Sequence, residues 1–210
     1  GIKFCVIIWI LVLGLFDRNL NAQSQWKLHK QNTAYTLWMK DVENLECKQF
    51  KIQTELNEDL QSVYNILKDV EHMHLWYDKV KRMSLLKKIS SNEAIYLLEY
   101  DLPFPFEDRI TTIKGTINYN EYMGKITVTT EYFSYPIPDL HQNASLIKNI
   151  SGGWEIVKTN NGKLLVTHHG YMDPGGNVPI WLINESLTSG PPKTIEGLKN
   201  LVKKYILSQK

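Results

Sequence analysis

The sequence predicts an α+β fold in which a curved antiparallel sheet wraps around a long C-terminal helix. Three observations lead there. Two strand-like segments precede a stretch of helical period, and about six more strand-like segments follow it with short connectors. The last segment is amphipathic with a helical spacing of apolar residues. Strands joined by hairpins make an antiparallel sheet, and one of its faces must be buried against something. The terminal helix is the available cover, and a sheet curved around a single helix leaves room for a cavity between them.

In chain order, residues 24–31 form a short polar segment around Trp26 that reads as a helical turn. Thr33 to Val42 and Cys47 to Leu56 read as strands, the second with Phe50, Ile52 and Thr54 on one side and Cys47, Gln49, Lys51 and Gln53 on the other. The period then changes. Leu60, Val63, Tyr64, Leu67 and Val70 fall on one helical stripe, Asn57 is the expected N-cap, and "HMHLWY" reads as a second short helix. Strands resume with "VKRMSLLKKIS", "EAIYLLEYDL", "EDRITTIKGTINY" and "KITVTTEYFSY". "GGWEIVKT" and "KLLVTHHGYM" flank "NNG", a strong hairpin signal. Pro191-Pro192 is expected to open the final helix, whose stripe runs through Ile195, Leu198, Leu201, Val202, Tyr205 and Ile206. Gly197 weakens that helix by roughly 1 kcal/mol relative to alanine, which points to a close approach at that position.

Composition excludes several function classes. The 210 residues suit one substantial domain, and 43% apolar residues are enough to build its core. The net charge is +2, and no basic cluster is long enough to track a phosphate backbone, so no nucleic-acid partner is expected. Residues 1–22 contain the apolar run "IKFCVIIWILVLGLF", shorter than the roughly 20 residues of a membrane span. They read as a signal peptide cleaved after Ala22, or a retained anchor, with residues 23–210 as the mature domain in the periplasm or envelope. Cys47 is then the only mature cysteine, and no disulfide or cysteine-based metal site follows. His168 and His169 adjoin on a strand and diverge, as His72 and His74 do on a helix, so no metal is expected. The sequence has no GxSxG, HExxH, CxxC or GxGxxG motif.

Two stretches are more informative. In "YDLPFPFEDRITTIKG", a turn centred near Phe104 brings Glu99 opposite Arg109 as a cross-strand ion pair. Arg109 shares a face with Thr111, Ile113, Gly115 and Ile117. It either holds a polar ligand head from the inner face, or it is an outer-face salt bridge or turn anchor. In "DPGGNVPIWLIN", Pro174, Gly175 and Gly176 end the last strand with a turn that needs positive φ. Pro179 then starts a helical segment whose Ile180, Trp181, Leu182 and Ile183 are expected to fill one end of the cavity.

These stretches carry a resemblance. "LPFPFEDR" is similar to the proline-aromatic-proline segment leading to an arginine in START domains, the lipid-transfer domains related to steroidogenic acute regulatory protein. "HHGYMDPGGNVPIWLIN" resembles their strand, turn and aliphatic helical start, and Trp26 in a leading polar helix, Trp76 and the order of elements agree from Gln25 to Ser208. The resemblance implies a helix-grip fold whose tunnel binds one lipid or sterol-like molecule, with the last helix as a lid and transient contact with a membrane surface. Ile110 stands where many members have aspartate, and Gly115 where several sterol binders have arginine. Ligand contacts are expected at Glu99, Arg109, Ile113, Tyr132, Trp154, His169, Tyr171, Trp181, Leu198 and Val202. No catalytic residue, cofactor or metal is assigned, and binding with transfer of a hydrophobic ligand is the favoured function. The alternatives are a cyclase- or hydrolase-like enzyme in the same fold, which needs Glu99, His168, His169 or Tyr171 to converge on the ligand, and an interaction module with a collapsed cavity.

Overall fold

The computed structural model describes residues 25–138 and 145–208. The expected leader, residues 1–22, lies outside the described residues. Ten strands form one sheet: β1 (Lys27–Gln31), β2 (Thr36–Asp41), β3 (Lys48–Leu56), β4 (Val80–Lys88), β5 (Glu93–Tyr100), β6 (Arg109–Asn120), β7 (Lys125–Tyr132), β8 (Ser145–Leu146), β9 (Asn149–Lys158) and β10 (Leu164–Asp173). The spatial order is β1-β2-β3-β10-β9-β7-β6-β5-β4, antiparallel throughout, with the two-residue β8 added parallel to β6. Helix α1 (Leu60–Lys68), a 3-10 helix (Val70–Leu75) and helix α2 (Ile180–Ser208) complete the chain. This is the α+β arrangement that the periodicities predict. Among the described residues, no helix is long and apolar enough to cross a membrane.

Alternation along the strands sets the inner face. On β3, Phe50, Ile52 and Thr54 are buried, as their period requires. Leu164, Val166 and His168 do the same on β10. Opposite them, Val63, Ile66 and Leu67 of α1 and Ile195, Leu198 and Val202 of α2 close the main core. A second apolar cluster, built on Val80, Met83, Leu98 and Ile113, lies toward the β4 edge. Met73 and Tyr77 pack against both clusters.

Several local expectations are corrected. Residues 27–31 pair with β2 as an edge strand, so Trp26 leads into a strand and not a polar helix. The Trp26 and Trp38 rings hold the Lys51 ammonium 4.9 and 4.7 Å from their centroids, which favours the extended arrangement. The N-cap of α1 is Asp59, two residues after Asn57, because its Oδ1 accepts the Ser62 N–H at 2.8 Å. Helix α2 starts at Ile180, with Pro191 and Pro192 inside it. The Leu182 and Ile183 N–H groups donate to the Pro179 carbonyl, so Pro179 begins the helix. Two prolines in its interior remove the donors that would reach the carbonyls of Leu187 and Thr188. Packing of Leu187, Ile195 and Leu198 into the core carries the helix across that weak point.

Candidate functional site

The two apolar clusters do not meet completely. Between them, roofed by the 3-10 helix and the first half of α2, lies a cavity of about 350 Å³ that is partly open to the outside. Its floor is the inner face of the sheet: Tyr96, Leu98 and Tyr100 of β5, Ile113 and Gly115 of β6, Trp154 of β9 and His168 of β10. Alternation puts these side chains on one face. Its roof includes Met73, Tyr77, Leu182, Leu187 and Thr194. Thr194 fixes the roof, since its Oγ1 accepts the Asp78 N–H at 3.1 Å. Gly115 leaves room for the Tyr96 ring, whose Cε2 would lie 3.1 Å from a Cβ added there.

Two loops close one end of the cavity. Leu102 and Pro103 come from the β5–β6 loop, and Pro174 and Val178 from the turn before α2. Arg109 ties the loops together. Its Nε donates to the Pro174 carbonyl at 3.0 Å and its Nη1 to the Glu107 carbonyl at 2.7 Å. Gly175 and Gly176 have φ of 62° and 65°, which the turn requires.

A buried polar chain borders the apolar space. The His168 Nδ1 lies 2.9 Å from the Gly153 carbonyl, and its Nε2 lies 2.9 Å from the Tyr77 hydroxyl. The ring stacks on Trp154 at 3.8 Å and 7° and meets Phe50 edge-on at 4.9 Å. Burial pulls its pKa down to about 3, against the smaller opposing effect of the Gly153 carbonyl, so the ring is neutral at ordinary pH. Burial likewise pushes the Tyr77 and Tyr100 phenols up.

Comparison with known proteins is consistent with this geometry. The START domain family pattern matches residues 11–109. A STAR-related lipid transfer protein fragment from Xanthomonas axonopodis superposes with a TM-score of 0.73 at 24% identity, covering 85% of this chain and 98% of that one. The chain shares the helix-grip fold of lipid-transfer proteins. Human StAR-related lipid transfer protein 5 shares the fold at a TM-score of 0.78 and 11% identity, over 88% of this chain and 89% of that one. In sequence, an uncharacterized Pseudomonas aeruginosa protein is 25% identical over 93% of this chain and 96% of its own length. Human START domain-containing protein 10 is 21% identical over 90% of this chain, which spans 65% of that protein.

Of the expected contacts, Ile113 and Trp154 line the cavity. His169 and Tyr171 border it, but they alternate with His168 and Gly170 along β10, and His169 pairs with Lys51, so their side chains belong to the outer face. Glu99 and Arg109 are not partners. The register sets Glu99 opposite Ile110 and Tyr100 opposite Arg109, one residue from the expected pairing, and Glu99 binds Arg82 at 2.6 Å on the outer face. Arg109 is the turn anchor of the two alternatives. Tyr132 lies one residue beyond the last β7–β9 pair, Glu131 with Ser151, and is not part of the lining. Trp181 is 64% exposed on the outside of α2. Leu198 and Val202 are sealed in the main core, because α2 begins eleven residues before Pro191 and its earlier turns reach the cavity. Glu99, His168, His169 and Tyr171 therefore do not converge on the ligand space.

Sequence reasoning missed Tyr77 and passed over Tyr100. The period-2 run Tyr96, Leu98, Tyr100 carried a usable signal for the second. Tyr77 carried none, since a residue just after a 3-10 helix has no repeating environment.

Proposed function

We propose that this START-like domain binds a lipid or other hydrophobic small molecule in its internal cavity and passes it between membranes. The largely apolar cavity between sheet and α2 is the observation that carries this reading. Its size falls in the range of small-molecule sites. Withdrawing a chain from water gains about 0.8 kcal/mol per CH₂, and selectivity for chain length is about 1–3 kcal/mol per methylene. Open space where an interaction module would have packed aromatics argues for a carrier. The Xanthomonas and human proteins that share this fold are lipid-transfer proteins, which supports the same ligand class.

Loading requires α2 to move. Gly190, Pro191 and Thr194 lie on the cavity roof where the helix lacks two internal hydrogen bonds. The segment before this point then swings as a lid, while Ile195, Leu198 and Val202 stay in the core. Phe104 is 96% exposed beside Leu102 and Pro103, and Trp181 is exposed beside Leu182. Two bare aromatics flanking one cavity end suit contact with a membrane surface. Residues 1–22, read as a leader, support a bacterial-envelope location for this activity. N-terminal sequencing of periplasmic protein should begin at Gln23, and a retained leader would redirect that part of the reading.

Native mass spectrometry of protein purified from its own host, followed by organic extraction, tests the proposal. One stoichiometric amphiphile is expected. Reproducibly empty protein that takes up no fatty acid, phospholipid or sterol-like compound would overturn it. Transfer between vesicles should slow when Phe104 and Trp181 are both replaced by alanine, with equilibrium binding intact.

A further inference from the structure

The polar chain on the cavity wall has a direction. The Gly153 carbonyl can only accept, so His168 Nδ1 carries the proton and donates to it. With the ring neutral, Nε2 is a bare acceptor. The Tyr77 hydroxyl must therefore donate to Nε2, and its oxygen keeps lone pairs for the cavity. Tyr100 also faces the cavity, and its hydroxyl has no hydrogen-bond partner among the described residues. Both phenols line the same cavity and pack against the same cluster of Val80, Met83, Leu98 and Ile113. The apolar space thus offers an acceptor on Tyr77 in its roof and a donor on Tyr100 in its floor.

We infer that this pair recognises the neutral hydroxyl group of a lipid alcohol, which donates to the Tyr77 oxygen and accepts from the Tyr100 hydroxyl. The inference rests on the lipid-binding reading above and names the headgroup chemistry that the cavity selects. An alcohol has both roles in one atom. A carboxylate only accepts. It would face the lone pairs of Tyr77, and the Asp78 carboxylate, which also borders the cavity and acts on Tyr77, adds like charge. An ether accepts from Tyr100 and leaves Tyr77 unmet. The cations on the lining, Lys68 and Lys79, are both exposed, and Lys79 follows Asp78 directly in the chain. His168 is a positioning residue that fixes the orientation of the Tyr77 proton.

The test measures binding of 1-dodecanol, dodecyl methyl ether and dodecanoate to the mature domain at pH 7.5, by displacement of a fluorescent fatty-acyl probe. Dodecanol should bind roughly tenfold tighter than the ether and than dodecanoate, the scale of one hydrogen bond. Tyr100→Phe should weaken dodecanol about tenfold. Tyr77→Phe should bring dodecanol and the ether to near equality. Equal binding of all three ligands, dodecanoate binding tightest, or ratios unchanged in both variants would each overturn the hydroxyl assignment and leave the lipid-binding reading standing. No binding of probe or ligands would overturn both.

Discussion

Arg109 and Pro174 are 65 residues apart, and the guanidinium of one holds the backbone carbonyl of the other at 3.0 Å. This contact joins the β5–β6 loop to the turn that launches α2, so a residue at the start of one strand sets the position of the helix roofing the cavity. Arg109 is 6% exposed. Removing it leaves the Pro174 and Glu107 carbonyls without their donor. Arg109→Ala should lower stability by about 2–4 kcal/mol in urea unfolding and speed release of a bound lipid. Arg109→Lys should recover only part of this, since an ammonium cannot span both carbonyls as the fork does. Wild-type stability with unchanged release would contradict the anchor role.

The turn itself offers a graded test. A Cβ at Gly175 would meet no atom within 4 Å, whereas one at Gly176 would lie 3.6 Å from the Arg109 Nη2. Both residues have positive φ. Gly175→Val therefore probes backbone strain alone, about 1–3 kcal/mol, while Gly176→Val adds a branched side chain against the Arg109 guanidinium. Lipid release should be faster in both and fastest in the second. Thermal denaturation and stopped-flow ligand release check the order.

Gly197 presents the opposite case. Alanine at an ordinary helical site would stabilise by up to about 1 kcal/mol. Here the added Cβ would come within 2.2 Å of the Trp76 carbonyl oxygen, a backbone atom with little freedom to yield. Gly197→Ala should destabilise by about 1–3 kcal/mol despite the better propensity. A raised melting temperature would show that helix and 3-10 segment part without cost.

His168 makes stability depend on pH in a definite direction. Its folded pKa of about 3 lies below the usual 6.5 because burial disfavours the imidazolium. The unfolded chain binds the extra proton first, so the contribution of the neutral ring is complete above pH 6.5 and falls away as pH drops toward 3. One such proton changes stability by at most about 1.4 kcal/mol per pH unit. Urea midpoints between pH 7 and 5 should fall in the wild type and fall less steeply in His168→Gln. Parallel slopes would show that the ring takes up its proton without unfolding. His169 adds in the same sense, since burial lowers its pKa too.

Much of this protein was legible from local pattern. Alternation put Phe50, Ile52 and Thr54 together on one side of β3 and sent His168 and His169 to opposite faces of β10, but which face was inner, and so that His168 and not His169 meets the cavity, came from the fold. The glycines of the turn before α2 announced positive φ, and the spacing of Ile195, Leu198 and Val202 marked the buried stripe of the last helix. Each of these follows from the geometry of a few neighbouring residues, so the sequence alone determined most of the strands, the turn before α2 and the α+β class, though not the edge strand β1. The tertiary structure decided what depends on distant partners. A one-residue difference in the β5–β6 register separates Glu99 from Arg109 and turns Glu99 to the outer face toward Arg82. Helix α2 runs back through two prolines to Ile180 because core packing outweighs the lost hydrogen bonds, and this puts Leu182 and Leu187 on the cavity in place of Leu198 and Val202. Tyr77 meets His168 across 91 residues only when the sheet closes under the 3-10 helix. Periodicity reports which way a side chain points, but only the closure of the whole sheet fixes what it faces.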